Sequence, residues 1–330
     1  LRLLSRRSLD SSRFLLLSGI LAGLLVLTYV VPQKKVDRFN LLERGLTFKE
    51  ASLADDILRT DTSKFSVAIS TIGMFGYRML GHDVIDMLGL TDSTVARHPE
   101  PVAQGLKTTW RERSQNAGYV LSRKPDYIVF STGIKPSAPS EQMLLLYSQF
   151  TAGYRSEGFW LQDSYFLPAG ILISAFKREH PFEGPYVPSY SIEWVKHFKA
   201  GVEAYSSHNY GVGITEFERA MAVPSCPKYS DLLFLRAACY DAIGQRPIAY
   251  RQLDSLLVLD SMSEGGHKEL YAYDLLSGDT VDAAIHRDWI IRHSPWDLAR
   301  LENTISQALA RQRARGVMAP GRQPTDPGAK

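Results

Sequence analysis

The sequence predicts an α/β domain followed by an all-α domain, with a transmembrane helix ahead of both. Three observations lead to this fold class: an uncharged apolar run near the N-terminus, short β-type runs separated by turns in the middle, and a helical pattern with a constant offset towards the C-terminus. A chain of 330 residues is long enough for two packed cores. The patterns place an anchor at 1–35, an α/β soluble domain at 36–180, a helical domain at 189–313 and a disordered tail at 314–330.

The apolar run from Phe14 to Val31 holds 18 residues without a charge. As a helix it would extend roughly 27 Å, close to the hydrocarbon thickness of a bilayer. No small-x-small cleavage site follows it, and more arginines precede it than follow it. The sequence therefore predicts a single-pass protein of the inner or plasma membrane, with the lipid bilayer as a partner and the soluble part outside the cytoplasm. Because the first residue is Leu1, we expect either an alternative start codon or the C-terminal part of a longer polypeptide.

Composition excludes some classes of function. The chain has 38 basic and 35 acidic residues, a net charge of +3, which argues against a nucleic-acid partner. Cys226 and Cys239 have neither CxxC spacing nor paired histidines, so no zinc site is predicted; a disulfide and two separate buried thiols both remain open. No motif for a cofactor or for nucleophilic catalysis appears in the sequence.

The middle of the chain predicts a small Rossmann-like mixed sheet. A helical linker over 36–63 precedes it, and helices are expected at 93–97 and 109–122. Strands are expected at 67–70, 84–88, 127–130, 158–162 and 171–177, the last two as an antiparallel pair at one edge.

The C-terminal part resembles tetratricopeptide repeats. Small and aromatic residues recur with an offset of 36, which pairs Gly201, Ala204, Gly213, Phe217 and Ala220 with Ala237, Tyr240, Ala249, Leu253 and Leu256. The usual period of such repeats is about 34. A third, weaker unit is expected over 269–295, followed by a capping helix over 296–313. Such repeats imply protein partners bound through the helical domain.

Polar residues that follow the second predicted strand are the leading site candidates. Asp86, Thr91 and Asp92 lie where ligands gather in open α/β sheets, outside the carboxyl ends of the strands. The alternative is architectural: Asp86 closes the strand end and Asp92 caps a helix. Both interpretations remain open at this point.

Three further features have a functional and a structural interpretation. Gly73-x-x-Gly76 forms either a phosphate cradle or a tight turn. His82 and His98 flank the same segment but have no third metal ligand nearby, so no metal site is predicted. The aromatic residues are either sugar-stacking platforms or core residues: Trp110, Tyr119, Trp160 and Tyr165.

Two blocks of sequence resemble the multi-spanning GT-C glycosyltransferases, especially their arabinofuranosyltransferase-like members. Residues 83–92 read DVIDMLGLTD and are followed by Val95-Ala96-Arg97, which resembles the pattern "viD", "lGLtD", "iAr" in the soluble C-terminal domain of that family. Residues 119–129, YVLSRKPDYIV, resemble its later block, and the glycines that precede Tyr77 fit as well. The "gH" that family members carry before the second block is replaced here by Trp110-Arg111.

The resemblance implies a role in cell-envelope glycan assembly. In such enzymes the sugar comes from a polyprenyl-phosphate donor, and the catalytic acidic residue lies in a loop that this chain lacks. The resemblance therefore implies a soluble domain that positions an acceptor glycan and contains no complete catalytic site. Its expected substrate-binding residues are Tyr77, Asp86, Thr91, Asp92, Arg97 and Trp110. The alternative function is a membrane-anchored scaffold that binds envelope proteins through its repeats.

Overall fold

The computed structural model describes residues 11–106, 114–163 and 167–314. They form a long N-terminal helix, a five-stranded mixed sheet with short helices and a C-terminal array of longer helices. The N-terminal and sheet elements are α1 (Ser11–Thr60), β1 (Ser66–Ile69), α2 (Gly73–Arg78), β2 (Asp83–Asp86), α3 (Ser93–Arg97), α4 (Ala117–Ser122), β3 (Tyr127–Val129), α5 (Pro139–Leu144), α6 (Ser148–Gly153), β4 (Tyr154–Asp163) and β5 (Leu167–Arg178). The C-terminal elements are α7 (Ile192–Ser206), α8 (Tyr210–Ala222), α9 (Ser230–Ala242), α10 (Arg246–Leu259), α11 (Glu264–Ser277), α12 (Thr280–His293) and α13 (Pro295–Ala314).

The N-terminal segment corrects the predicted fold class. The expected membrane helix and the expected linker are one continuous helix, α1, of 50 residues. This helix continues past the apolar run through a charged stretch and packs on the sheet with its last turns. In the described ranges, no helix combines the length and the apolar character needed to cross a bilayer. The predicted transmembrane helix and single-pass membrane localisation are therefore wrong.

The sheet has the strand order β2-β1-β3-β5-β4. Strand β1 pairs in parallel with β2 and β3, whereas β5 is antiparallel to both β3 and β4. The strands lie close to their predicted positions, and the antiparallel pair is at one edge. The predicted helix over 109–122 is represented by α4, and residues 107–113 lie outside the described residues.

Both faces of the sheet are covered, because successive side chains of a strand point to opposite sides. Val67 and Ile69 pack against the last turns of α1, where Ala54 and Ile57 are fully buried. On the other face, Ala68 belongs to a second cluster with the short helices α4–α6. The sheet is thus a buried layer between α1 and the rest of the protein.

The second cluster extends past the proline-rich segment 181–188 into the helical array. It continues from Phe150 and Phe176 of the sheet region to Trp194, Phe198 and Phe217 of the helical array, all of them fully buried. The α/β region and the first helical pair therefore share one core. We expect them to unfold together, since a shared core makes neighbouring segments cooperative.

The helical array consists of three antiparallel pairs, α7–α8, α9–α10 and α11–α12, closed by α13. The small residues of the offset pattern lie where helices approach closely. A Cβ atom at Gly201 would lie 2.5 Å from the ring of Phe217, and one at Gly213 would lie 2.9 Å from the sulfur of Cys239. Close packing therefore accounts for the small residues at these two positions.

Gly201→Ala is expected to lower the free energy of unfolding, because the fully buried Phe217 ring has no room to retreat. Overpacking of this kind costs about 1–3 kcal/mol, and the better helix propensity of alanine returns up to about 1 kcal/mol. Denaturant unfolding followed by circular dichroism measures the change. Gly211→Ala in α8 is the control, since a Cβ there meets nothing within 4 Å. Equal stability of the two variants would contradict the packing explanation.

Candidate functional site

Asp86 and Thr91 form a closed turn at the carboxyl end of β2. Asp86 is fully buried, and its Oδ1 accepts a hydrogen bond from the Leu88 N–H at 2.9 Å. Its Oδ2 accepts from the N–H and the hydroxyl of Thr91, at 2.6 and 3.2 Å. The carboxylate is thus surrounded by donors of its own turn, which is the arrangement of the architectural alternative.

Asp92 caps helix α3 and ties it to α4. Its Oδ1 accepts from the N–H groups of Thr94 and Val95, at 2.9 and 3.1 Å. Its Oδ2 accepts from the hydroxyl of Tyr119 at 3.1 Å, and that hydroxyl accepts in turn from Arg123 at 2.8 Å. Both carboxylate oxygens therefore hold protein groups in place.

The other sequence-predicted site residues are not brought together with these two. Tyr77 is 68% exposed and Arg97 is also exposed on the surface. Trp110 lies outside the described residues, as do the side chain of Trp160 and residue Tyr165. Of the four aromatic candidates, only Tyr119 is described, and it is a partner of Asp92.

The Gly73-x-x-Gly76 segment is the first turn of α2, and a carboxylate of the protein already occupies the position of a phosphate. Glu50 of α1 accepts hydrogen bonds from the N–H groups of Met74 and Phe75 and from the hydroxyl of Thr71. Burial raises the pKa of this carboxyl above its usual value. The segment therefore serves to dock α1 on the sheet.

The histidine and cysteine candidates are also accounted for. His82 accepts a hydrogen bond from the Phe65 N–H through Nδ1, at 3.4 Å, and its ring lies 4.1 Å from the Phe65 ring, tilted by 38°. No group of three or more metal-ligating side chains occurs in the part of the chain that the structure describes. Cys226 and Cys239 are both free thiols, and burial raises the pKa of Cys239 to about 11.

A cleft that the sequence did not reveal lies between the sheet edge and the C-terminal helices. Its volume is about 640 Å³, within the range of small-molecule sites. Strands β4 and β5 form one wall, and the ends of α12 and α13 form the other. The lining is rich in charged and aromatic side chains: Asp61, Tyr127, Arg155, Glu157, Phe159, Lys177, Glu179, Glu264, Trp289, Arg292, His293 and Trp296.

A partly buried ion pair and a hydrogen bond join the sheet edge to the helical array. Arg155 of the edge strand β4 donates from Nε to both carboxylate oxygens of Asp260, each at 3.0 Å, and pairs with Glu179 at 3.2 Å. Farther along β4, the N–H of Gly158 donates to the carboxylate of Glu264 at 3.2 Å. The helical array thus covers an otherwise open strand edge and keeps the shape of the cleft.

Glu157 and Lys177 are a loosely matched pair in the cleft, with their charged atoms 3.6 Å apart. Burial raises the pKa of the Glu157 carboxyl, and the neighbouring charges of Glu264 and Glu179 raise it further. The ammonium group of Lys177 lies 5.8 Å from the ring centre of Tyr127. A donor, an acceptor and an aromatic ring are therefore adjacent on the sheet wall.

The opposite wall holds polar groups that have no partner in the described residues. The Trp289 ring is stacked between His267 and His293, with ring centres 4.2 and 4.4 Å away. Its Nε1–H is buried and unpaired, and so is the hydroxyl of Ser294, a residue that is only 2% exposed. Buried polar groups without partners cost free energy, and both atoms are closed off from the cleft, with less than 1 Å² of accessible surface each.

Comparison with known proteins gives one family. A domain family described as a domain of unknown function (DUF8728) matches residues 45–183, less than half of the chain. No curated protein and no solved structure matched the chain. The matched segment runs from the second half of α1 to just beyond β5, so it includes the sheet wall of the cleft and excludes the helical wall.

Proposed function

We propose that this chain binds a glycan in the cleft and acts as the acceptor-positioning part of a cell-envelope glycosyltransferase. The observation that carries the proposal is the convergence of aromatic rings, carboxylates and cations on one cleft of about 640 Å³. Sugars offer hydroxyls that donate and accept hydrogen bonds, together with apolar C–H faces that pack on aromatic rings. The cleft supplies matching groups for each of these features.

Individual residues of the cleft would bind different parts of the sugar. A sugar hydroxyl that bridges Glu157 and Lys177 would accept from the ammonium group and donate to the carboxylate. Trp296, 40% exposed at the rim, presents its ring to a sugar face. The resemblance of residues 83–92 and 119–129 to GT-C glycosyltransferases supports the link to glycan transfer, with the polyprenyl-phosphate sugar donor bound elsewhere.

The alternative function, a scaffold that binds proteins through its repeats, is less well supported. The described helical array uses three side chains to bind the chain's own edge strand: Asp231 accepts from Ser156, Asp260 from Arg155 and Glu264 from Gly158. The surface that faces the sheet is therefore partly occupied within the molecule. This observation favours the glycan proposal.

Glu157→Gln is expected to weaken binding of a neutral arabino-oligosaccharide by roughly tenfold, because a charge-assisted hydrogen bond is replaced by a weaker neutral one. Isothermal titration calorimetry with the full chain measures the affinity, and a maltose-series oligosaccharide tests the choice of sugar. Glu203→Gln on α7 is the control, since Glu203 lies outside the cleft. Absence of binding to either oligosaccharide, or equal affinities in both variants, would overturn the proposal.

A further inference from the structure

A second cavity lies between the β4–β5 hairpin and the helices α9, α11 and α13. Its volume is about 390 Å³, within the range of small-molecule sites. It shares a few residues of β4 and α11 with the cleft described above, but α9 and most of α13 line this cavity alone. Most of its wall is apolar, with side chains from the loop after β3 and from the three helices: Ile134, Phe234, Leu276, Leu301, Ile305 and Ala308.

The basic side chains of this cavity already have acidic partners. Asp231, a buried carboxyl of the wall, is also occupied, since its Oδ1 accepts from the hydroxyl of Ser156 at 2.5 Å. None of these groups requires a ligand. The ion pairs join Lys268 to Glu264 and Asp297, Arg300 to Asp297, and Arg155 to Asp260 and Glu179.

Glu269 of α11 is the exception among the charged groups of the wall. Within the described ranges its carboxylate forms neither a hydrogen bond nor an ion pair. The neighbouring Lys268 does not supply a partner, because it is paired with Glu264 and Asp297. The side chain of Glu269 is exposed and lines the cavity, so a ligand there can reach its carboxylate.

The surroundings of Glu269 favour a cation. Desolvation by the enclosing protein and, to a smaller extent, the carboxylate of Asp241 raise the pKa of Glu269 to about 7. Asp241 is in the last turn of α9, and the C-terminal end of a helix carries partial negative charge. Arg246 balances Asp241 in part, at 3.4 Å, but Glu269 has no such cation. A positive group would therefore be stabilised at this end of the cavity.

An aromatic ring lies beside the same carboxylate. The ring of Phe234 packs over Gly265 of α11, where a Cβ atom would be only 2.7 Å away. Gly265 and Glu269 are four residues apart on one helix, and residues at this spacing are neighbours on the helix surface. Phe234 is only partly buried and lines the cavity as well. An ammonium group there would be attracted by both the carboxylate and the ring.

We propose that this cavity binds a small primary amine with an apolar chain, its ammonium group paired with Glu269 beside Phe234 and its chain packed on the apolar wall. The ammonium group donates to the carboxylate, and burial of the chain adds stabilisation in proportion to its apolar area. A neutral or anionic ligand of the same shape would leave Glu269 without a positive partner. This site is separate from the glycan cleft and does not depend on the proposed function.

The test compares n-hexylammonium, 1-hexanol and hexanoate as ligands of the full chain by isothermal titration calorimetry. Hexylammonium is expected to bind about tenfold more tightly than hexanol, by the usual strength of a charged hydrogen bond, and hexanoate to bind most weakly. At pH 7 binding of the amine is expected to release about half a proton, because the ion pair lowers the pKa of Glu269 from about 7. Titrations in buffers with different ionisation enthalpies measure that release.

Variants assign the binding to the cavity. Glu269→Gln keeps the shape of the side chain and is expected to remove both the preference for the ammonium group and the proton release. Glu203→Gln on α7 lies outside the wall and is expected to behave as the wild type. Ala308→Phe places a ring in the cavity and is expected to weaken binding of hexylammonium and hexanol alike. Thermal melting checks the fold of each variant.

Three results overturn the amine site. The first is hexylammonium that fails to bind, or binds no more tightly than hexanol. The second is equal affinity of the amine for the wild type and Glu269→Gln, a variant that loses no contact within the described residues and is therefore expected to fold. The third is an affinity that a folded Ala308→Phe leaves unchanged, because the amine would then lie elsewhere.

Discussion

Asp86→Ala is expected to lower the free energy of unfolding by about 1–3 kcal/mol, because it leaves the buried N–H group of Leu88 and the more exposed N–H group of Thr91 without acceptors. Denaturant unfolding of the full chain measures it. Asp86→Asn retains one acceptor oxygen and is expected to lie between the wild type and Asp86→Ala.

Asp92 provides the matched comparison. Because serine caps a helix about as well as aspartate, Asp92→Ser is expected to lose little capping energy, whereas Asp92→Ala loses about 1 kcal/mol. If these carboxylates instead bind an acceptor, Asp86→Asn and Asp92→Ser would keep the fold and lose glycan binding. That result would place the glycan-binding site at the turn that contains Asp86 and Asp92, and it would contradict the assignment of glycan binding to the cleft.

Acidification is expected to destabilise the protein through the buried histidine pair of α11 and α12. The Nδ1 atoms of His267 and His286 are 2.9 Å apart, and His267 Nε2 donates to the carbonyl of Ser261. His267 Nδ1 therefore accepts a hydrogen bond from His286. Burial and, to a smaller extent, the neighbouring His267 lower the pKa of His286 to about 4, and burial also lowers the pKa of His267.

The direction of this pH effect follows from the number of protons that the folded and unfolded chains bind. Between pH 6.5 and pH 4 the unfolded chain binds a proton at His286 that the folded protein does not bind. The free energy of unfolding therefore falls as the pH drops through this window, by about 3 kcal/mol from this one group. Asp274 and Asp282 face the same ring and moderate the effect, since their negative charge favours the protonated form.

Stability measured from pH 7.5 to pH 4 in the wild type and in His286→Asn isolates this contribution. The asparagine amide still donates a hydrogen bond from the position of Nδ1 but does not titrate, so the variant is expected to have a shallower acid slope. His98→Asn, at an exposed histidine, is the control and is expected to follow the wild type. Identical slopes in all three proteins would show that the histidine pair does not govern acid sensitivity.

Local patterns were sufficient for much of the architecture. The strands, the N-cap at Asp92 and the close-packed glycines at 201 and 213 could be predicted, because each depends on residues near in sequence or on a helical repeat. The prediction that the apolar run of 14–31 crosses a membrane was wrong for a related reason. Length and hydrophobicity of a window do not indicate where its helix ends, and here the helix continues to Thr60 and docks on the sheet through Glu50, Ala54 and Ile57.

The cleft, in contrast, was decided by tertiary structure alone. Its walls are joined by contacts between residues about a hundred positions apart, Arg155 with Asp260 and Gly158 with Glu264. Burial and pairing of charges arise only when such segments meet, so neither the raised pKa of Glu157 nor the unpaired N–H of Trp289 has a sequence signature. The sequence by itself determined the elements and their order. The packing of the helical array against the edge strand determined which side chains share a site, because that packing excludes water from some polar groups and leaves others facing a cavity.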